Sequence, residues 1–374
     1  MNNKDKSQKE YDKETLEEKI STIIEQSTDN EILQFISLKI PHLQSIKVKS
    51  KIVEILSSIL LQEINYNLLL KKIFEGIPDE ILCLRPLIWK ICLNYLSLKP
   101  EEWSDILKSN RTLYEKNKKK YMNNLSSDII KKKNPLINKD YYQDKELYSN
   151  IKKDVLRTKS NMNFVSLLTK NSESNADVMN RILFIYAKEH PEVCYVQGMN
   201  DLIAPIYYCF SIDNNPDNKN FVEADSYISF EKLMEIIKKI YIRTLDNEPG
   251  GVNFRLNEIS GLLKIADYEL YLHLKRNKIK IEFYGFRWMT LFFTQDFEMP
   301  DILRIWDSIF GNNDIFEFLY LLILATIILK KKDIMKEQMS GIMMIIQNLE
   351  DITADALINK AVQIRNELSK KYIW

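Results

Sequence analysis

The sequence predicts an all-α fold, because the chain is long, apolar and poor in turn formers. Its 374 residues include only 8 glycines and 10 prolines, whereas average usage of about 7% and 5% would give about 26 and 19. Hydrophobic residues make up 45% of the chain, which is enough for a large core. Many short strands would need more turn residues than this chain contains. We therefore expect long helices joined by short loops and exclude a β-sandwich or β-barrel.

Residues 1–72 are expected to form an N-terminal helical extension that is partly disordered. Apolar residues recur at three-to-four spacing in residues 15–26 and 50–64, as on one face of a helix, and Pro41 separates the two segments. The first dozen residues are polar and charged, so we expect them to be disordered. They lack the apolar stretch of a secretory signal, which favours a cytoplasmic protein.

Residues 73–345 are expected to form the main domain, which opens with the segment 74–103. Gly76 and Pro78 punctuate its start, and Arg85 and Trp89 are four residues apart, so on a helix they would share a face. We assign structural roles to Arg85 and Trp89, and likewise to Trp288 and Trp306.

A polar segment, residues 114–140, follows this opening and carries two lysine runs, Lys118–Lys120 and Lys131–Lys133. Such runs could contact anionic lipid or nucleic acid. No interleaved aromatic residues or helical stripe organise the charge, so we interpret the segment as a solvated loop.

From residue 175 onward, apolar periodicity predicts one helix after another, without an internal repeat of fixed period. Pro191 ends the first helix and Gly311 the last of the set. The predicted helical segments are 176–190, 201–211, 230–245, 255–266, 268–279, 286–297 and 299–313. The stretch 319–329 has 11 apolar residues, too few to span a membrane, and predicts a buried core helix. Residues 346–374 are expected to be a helical segment packed on the domain or continuing it.

Charge and cysteine content exclude several classes of function. Lys+Arg number 53 against 52 Asp+Glu, so a dedicated nucleic-acid binder is disfavoured. Four cysteines without a CxxC pair and three histidines make a zinc or haem site very improbable. We expect no metal site and interpret all four cysteines as buried free thiols, namely Cys83, Cys92, Cys194 and Cys209.

Three local clusters could carry chemistry. In IKKDVLRT, Ile151, Asp154 and Arg157 are three residues apart, which on a helix or helix end stacks a carboxylate beside a guanidinium. In YVQGMND, a glycine and polar side chains lie between two apolar helices, where functional residues often occur. The third cluster is aromatic and surrounds Arg287. Each also has a structural interpretation, as a surface ion pair, a polar loop or core packing.

Taken together and in order, these motifs resemble the TBC domain, the helical domain of GTPase-activating proteins for Rab GTPases. The resemblance covers about residues 72–345. It depends on five blocks, namely Gly76-Ile77-Pro78 with Arg85 and Trp89, Ile151-x-x-Asp154-x-x-Arg157, Tyr195 to Asn200, Phe283 to Trp288, and Arg304 to Asp307. One departure is visible: the family often has proline soon after the Arg-Thr pair, whereas Lys159-Ser160 follows here, which would loosen the loop that carries Arg157.

The resemblance implies that Arg157 is an arginine finger and Gln197 a glutamine finger, inserted into a Rab-family GTPase in its GTP state. A guanidinium is permanently cationic and donates in a planar fork, which suits the charge on a transferring phosphoryl group. A carboxamide donates and accepts at once, which suits a positioned water. Asp154, Tyr195, Gly198, Asn200 and Arg287 are expected to support the site or contact the GTPase.

The same resemblance implies no cofactor of the protein's own, since the partner carries GTP and Mg²⁺. We expect a monomeric, cytoplasmic regulator of vesicle trafficking, with peripheral association to endomembranes left open, no nucleic-acid partner and no turnover without the GTPase. One alternative is a TBC-fold adaptor that binds a GTPase or membrane complex without stimulating hydrolysis. Another, independent of the resemblance, is a helical scaffold that binds partner helices through residues 1–72.

Overall fold

Nineteen α-helices and no β-strand make up the part of the chain that the computed structural model describes, residues 3–126, 135–158, 162–169 and 172–371. The all-α prediction is therefore confirmed. The first four helices are α1 (Asn3–Gln26), α2 (Glu31–Ser37), α3 (Ile46–Ile59) and α4 (Tyr66–Phe74). The next seven are α5 (Leu84–Cys92), α6 (Trp103–Ser126), α7 (Pro135–Val155), α8 (Met162–Ser166), α9 (Asn175–Glu189), α10 (Met199–Ser211) and α11 (Val222–Ile237). The last eight are α12 (Val252–Ala266), α13 (Tyr268–Arg276), α14 (Gly285–Leu291), α15 (Met299–Phe310), α16 (Ile315–Leu329), α17 (Lys331–Ile334), α18 (Met339–Gln347) and α19 (Ala354–Lys371).

The N-terminal helices share one hydrophobic core with the rest of the chain. Ile20 of α1 and Ile55 of α3 are buried in the same cluster as the domain's central helices, and α4 packs against α15. The structure also begins α1 at Asn3, where the sequence analysis expects disorder. Lys, Glu and Gln are good helix formers, so a polar segment can continue a helix whose later turns are packed. The partial disorder of residues 1–72 stays a prediction.

The described parts of the polar segment, residues 114–126 and 135–140, are helical and not the loop that the sequence analysis predicts, since α6 continues to Ser126 and α7 starts at Pro135. Trp103, Leu107, Tyr114 and Tyr121 are buried at helical spacing along α6. The lysines between them face outward, and Lys118 Nζ lies 2.7 Å from Glu223 Oε2. The run Lys131–Lys133 lies outside the described residues.

The apolar segment 319–329 lies within α16, most of which is buried, and α19 packs along it. The C-terminal segment therefore packs on the domain. Within the described residues, no helix is both long and apolar enough to cross a lipid bilayer.

A buried carboxylate, Asp307 of α15, joins α15 to the segment around α5. Arg85 Nε donates to Asp307 Oδ1 over 3.1 Å, and Trp89 Nε1 donates to the same oxygen over 2.9 Å. The backbone N–H of Ile77 donates to Oδ2 over 2.9 Å. Burial raises the pKa of Asp307, and the Arg85 guanidinium opposes that shift. Arg85 and Trp89 share a helix face, as the spacing predicts, and both serve the core.

Replacing Asp307 by alanine is expected to lower the free energy of unfolding by about 3–5 kcal/mol, because it leaves the Arg85 charge buried without its main partner. Urea denaturation measures the effect. Asp355→Ala is the matched control: Asp355 also pairs with an arginine, Arg304, but its side chain is 75% exposed, so its loss should cost less than about 1 kcal/mol. Equal effects of the two substitutions would contradict the structural role of Asp307.

Candidate functional site

A pocket of about 380 Å³ lies between the end of α7, the turn before α10, and α14. It brings together residues that are far apart in the sequence. Six of the seven predicted site residues line it, and the seventh, Tyr195, is hydrogen-bonded to one of them. The lining residues are Asp154, Arg157, Gln197, Gly198, Asn200, Asp201, Phe286, Arg287, Thr290, Leu291 and Gln295.

Arg157 lies in the turn that follows α7, as the predicted helix end requires. Its backbone N–H donates to Asp154 O over 3.0 Å, and the next N–H, of Thr158, donates to Val155 O over 3.1 Å. Its side chain is exposed and has no hydrogen-bonded or ionic partner among the described residues, Asp154 included. The alternative of a surface Asp-x-x-Arg ion pair is therefore not realised, and the guanidinium is available to a partner.

Gln197 occupies the tight turn before α10. Gly198 follows it with φ +105°, a left-handed conformation that glycine adopts without strain. A Cβ at this position would lie 2.7 Å from Leu291 Cδ2. The turn therefore requires glycine both for its backbone angle and for its approach to α14. The Gln197 side chain is exposed and, like that of Arg157, has no hydrogen-bond partner among the residues described.

The turn that contains Gln197 also corrects the expectation for the cysteines. Cys83, Cys92 and Cys209 are buried free thiols, whereas Cys194 is exposed. Cys194 has φ +60°, so the backbone turns outward after α9 instead of continuing into the core. Burial raises the pKa of the Cys83 thiol to about 12, as expected for an inert buried thiol.

Two polar side chains, half-buried Tyr195 and buried Asn200, connect the segments that form the pocket. The Tyr195 hydroxyl donates to Asp154 Oδ2 over 3.0 Å, and burial raises the Tyr195 pKa well above its ordinary value. Asn200 is only 5% exposed, and its amide contacts both the turn after α7 and the turn before α10. Asp154 and Asn200 thus lie beneath the two exposed side chains.

Arg287 faces the pocket from α14 but is already paired, since its NH2 lies 2.5 Å from Asp296 Oδ1. The carboxylate of Asp296 is nearly buried, whereas 37% of the Arg287 side chain is exposed. The sequence analysis expects Arg287 to support the site or contact the GTPase, and the structure shows its guanidinium paired with Asp296. The two aromatic neighbours of Arg287 differ in exposure. Trp288 is fully buried, whereas Phe286 is 47% exposed and lines the pocket.

Gln295 is a pocket residue that the sequence analysis did not identify. Its Nε2 donates to Asp201 Oδ2 over 3.0 Å and so ties the start of α10 to the segment after α14. The two residues are 94 positions apart. No local pattern could have revealed this contact, which exists only because α10 and α14 pack together.

Replacing Asp201 by asparagine is expected to change how stability depends on pH. Burial raises the pKa of Asp201 to about 6. Because the folded-state pKa is above the ordinary value, the stabilisation from the protonated form is complete below about pH 4 and is lost as pH rises through about 6. An asparagine carbonyl can still accept from Gln295, so the variant should gain up to about 3 kcal/mol at pH 7. Urea denaturation at pH 5 and pH 7.5 measures this change, and Asp333→Asn, at an exposed aspartate, is the control. If the free energy of unfolding of Asp201→Asn depends on pH as that of the unaltered protein does, the expectation is contradicted.

A larger pocket, of about 900 Å³, lies between α6 and the loops that precede α2 and α11. None of the predicted site residues lines it. Its lining includes five carboxylates and four basic side chains, and one of the four, Arg111, is bound to buried Asp225. This pocket holds more acidic than basic side chains and none of the predicted site residues, so the smaller pocket remains the candidate site.

Comparison with known proteins identifies the family of this chain. The sequence profile of the Rab-GTPase-TBC domain matches residues 82–335. The mouse protein "TBC1 domain family member 13" is 31% identical over 369 residues, which span 78% of this chain and 92% of the relative. The Schizosaccharomyces pombe protein "GTPase-activating protein gyp1" is 27% identical over 328 residues, 83% of this chain and 58% of that protein.

A solved structure shows the same fold. The crystal structure of the Ypt/Rab-GAP domain of Gyp1p superposes with a TM-score of 0.68 at 24% sequence identity, covering 92% of this chain and all of that one. The resemblance seen in the sequence is thereby confirmed. With a family profile over most of its length and a relative above 30% identity along nearly that relative's whole length, the chain belongs to the Rab-GTPase-TBC domain family.

Proposed function

We propose that this protein is a GTPase-activating protein for a Rab-family small GTPase in its GTP state. The observation that carries the proposal is the placement of Arg157 and Gln197, 40 residues apart in sequence, on the wall of one pocket with both side chains exposed. The relatives support it, since one is named a GTPase-activating protein and the solved structure is a Ypt/Rab-GAP domain.

The proposed mechanism uses two fingers. Small GTPases hydrolyse GTP slowly by themselves, because charge on the phosphate oxygens is incompletely compensated and the attacking water is poorly held. Arg157 would supply the missing positive charge, and Gln197 would hold the water through one donor and one acceptor. An arginine finger supplied in trans raises the rate by about 10³–10⁵. The partner supplies GTP and Mg²⁺, and this chain needs no cofactor.

The surroundings of the two side chains suit this role. A finger must leave its own protein and enter another, so a side chain engaged in an internal ion pair would first have to break it. Arg157 has no such bond among the described residues, whereas Arg287, on the same pocket wall, is held by Asp296. We therefore assign the finger to Arg157 and a wall-forming role to Arg287. The cellular role we propose is regulation of vesicle trafficking through the partner GTPase.

Single-turnover GTP hydrolysis by a panel of GTP-loaded Rab proteins, with and without this protein, tests the proposal. We expect at least one member to be stimulated by about 10³ or more. Binding to a Rab without stimulation would instead support the TBC-fold adaptor. The same assay can test whether Lys159-Ser160, which lie outside the described residues, lower the activity. The test is a variant with proline placed after Thr158, as is frequent in the family.

A further inference from the structure

The side-chain amide of Asn200 joins the turn that carries Arg157 to the turn that carries Gln197. Asn200 Nδ2 donates to Thr158 Oγ1 over 2.9 Å and to Asp154 O over 3.3 Å. Asn200 Oδ1 accepts from the backbone N–H of Gly198 over 3.2 Å. One amide therefore spans two segments that lie more than 40 positions apart in the sequence.

The partners of this amide fix its orientation and its residue type. The Asp154 carbonyl can only accept a hydrogen bond and the Gly198 N–H can only donate one, so a donor and an acceptor are both required at position 200. A carboxylate would lack the donor and an aliphatic residue would lack both. Thr158 is 1% exposed and Asn200 5%, so water cannot readily replace the lost bonds.

The bonded groups are the chain neighbours of the proposed fingers. Thr158 directly follows Arg157, and Gly198 directly follows Gln197. Neither finger side chain has a hydrogen bond of its own within the described part of the chain. The relative position of the two fingers therefore depends on the backbones that carry them, and the Asn200 amide bonds to both.

From this geometry we infer that Asn200 is a positioning residue, which sets the spacing between the arginine and glutamine fingers without touching the substrate. The inference rests on the proposed function. Loss of the amide of a positioning residue should lower the hydrolysis rate at saturating protein and leave the half-saturating concentration almost unchanged. Loss of a residue that binds the GTPase would instead raise the half-saturating concentration. A misplacement of about 1 Å can lower a rate by about 10²-fold.

Two variants separate positioning from folding. Asn200→Ala removes the whole amide, and we expect the saturating single-turnover rate to fall about 10- to 100-fold. Thr158→Val keeps the shape of a buried side chain and removes only one of the hydrogen bonds of the Asn200 amide, so its rate should fall less. Because both act through the same contact, the double variant should be no slower than Asn200→Ala alone. Asn218→Ala is the control: Asn218 is also buried and bonded, to Asp213 and Arg111, but does not line this pocket.

The outcomes are distinguishable. If the unaltered protein stimulates no Rab, the proposed function fails and the inference with it. If the unaltered protein is active, three results would overturn the inference alone: a normal saturating rate in folded Asn200→Ala, a rise only in its half-saturating concentration, or a rate loss in Asn218→Ala as large as in Asn200→Ala. Independent, multiplying losses in the double variant would also overturn it, and thermal melting of each variant shows that the fold is retained.

Discussion

Replacing Arg157 by alanine is expected to abolish stimulated GTP hydrolysis, with a loss of about 10³-fold or more, while the fold survives. Such a loss corresponds to about 4 kcal/mol of transition-state stabilisation. The fold should survive because the Arg157 side chain is exposed and bonded to nothing in the described chain. Single-turnover rates and thermal melting of the same preparations measure the two parts of this expectation.

Arg157→Lys is the informative companion variant. It keeps the positive charge and loses the planar fork of donors, so we expect it to restore little of the activity. Arg287→Ala is the matched control, since Arg287 is another arginine on the same pocket wall whose guanidinium is engaged by Asp296. Near-normal rates for Arg157→Ala or Arg157→Lys, or a larger loss in Arg287→Ala, would show that the finger has been assigned to the wrong arginine.

The sequence motifs and the family resemblance named six residues that line the pocket, but not how the two turns are joined. A helix that ends just before Arg157 and a glycine directly after Gln197 are features of neighbouring residues, so the sequence displays them. The bonds from Tyr195 to Asp154 and from Asn200 to Thr158 span 41 and 42 positions. They arise only when α7 and α10 pack together, and nothing in either segment alone specifies the partner.

Two predictions are wrong, for the segment 114–126 and for Cys194, because composition alone does not determine which side chains are buried. Lysine and asparagine dominate residues 114–126, yet Trp103, Tyr114 and Tyr121 form the buried stripe that makes the segment a helix. Cys194 is of a residue type usually found buried, but its left-handed backbone turns it to solvent. In both cases, a few apolar contacts or one backbone angle decided the outcome.

In the proposed mechanism both catalytic groups, the guanidinium of Arg157 and the carboxamide of Gln197, come from this protein. If Gln197 positions the water, the switch glutamine of the Rab is not needed for the stimulated reaction. Replacing Gln197 by alanine should then lower the rate by about 10²-fold or more. Gln197→Glu should not restore it, because a carboxylate loses the amide donor and repels the γ-phosphate. The fold should survive these substitutions, because the Gln197 side chain is exposed and has no hydrogen-bond partner among the described residues.

The decisive measurement compares two Rab proteins with two forms of this protein. The Rab is used unaltered or with its switch glutamine replaced by alanine, and this protein is used unaltered or as Gln197→Ala. We expect the glutamine-less Rab to respond appreciably to the unaltered protein and hardly at all to Gln197→Ala. A glutamine-less Rab that ignores the unaltered protein, together with a normal Rab that Gln197→Ala still activates, would contradict the water-positioning role of Gln197.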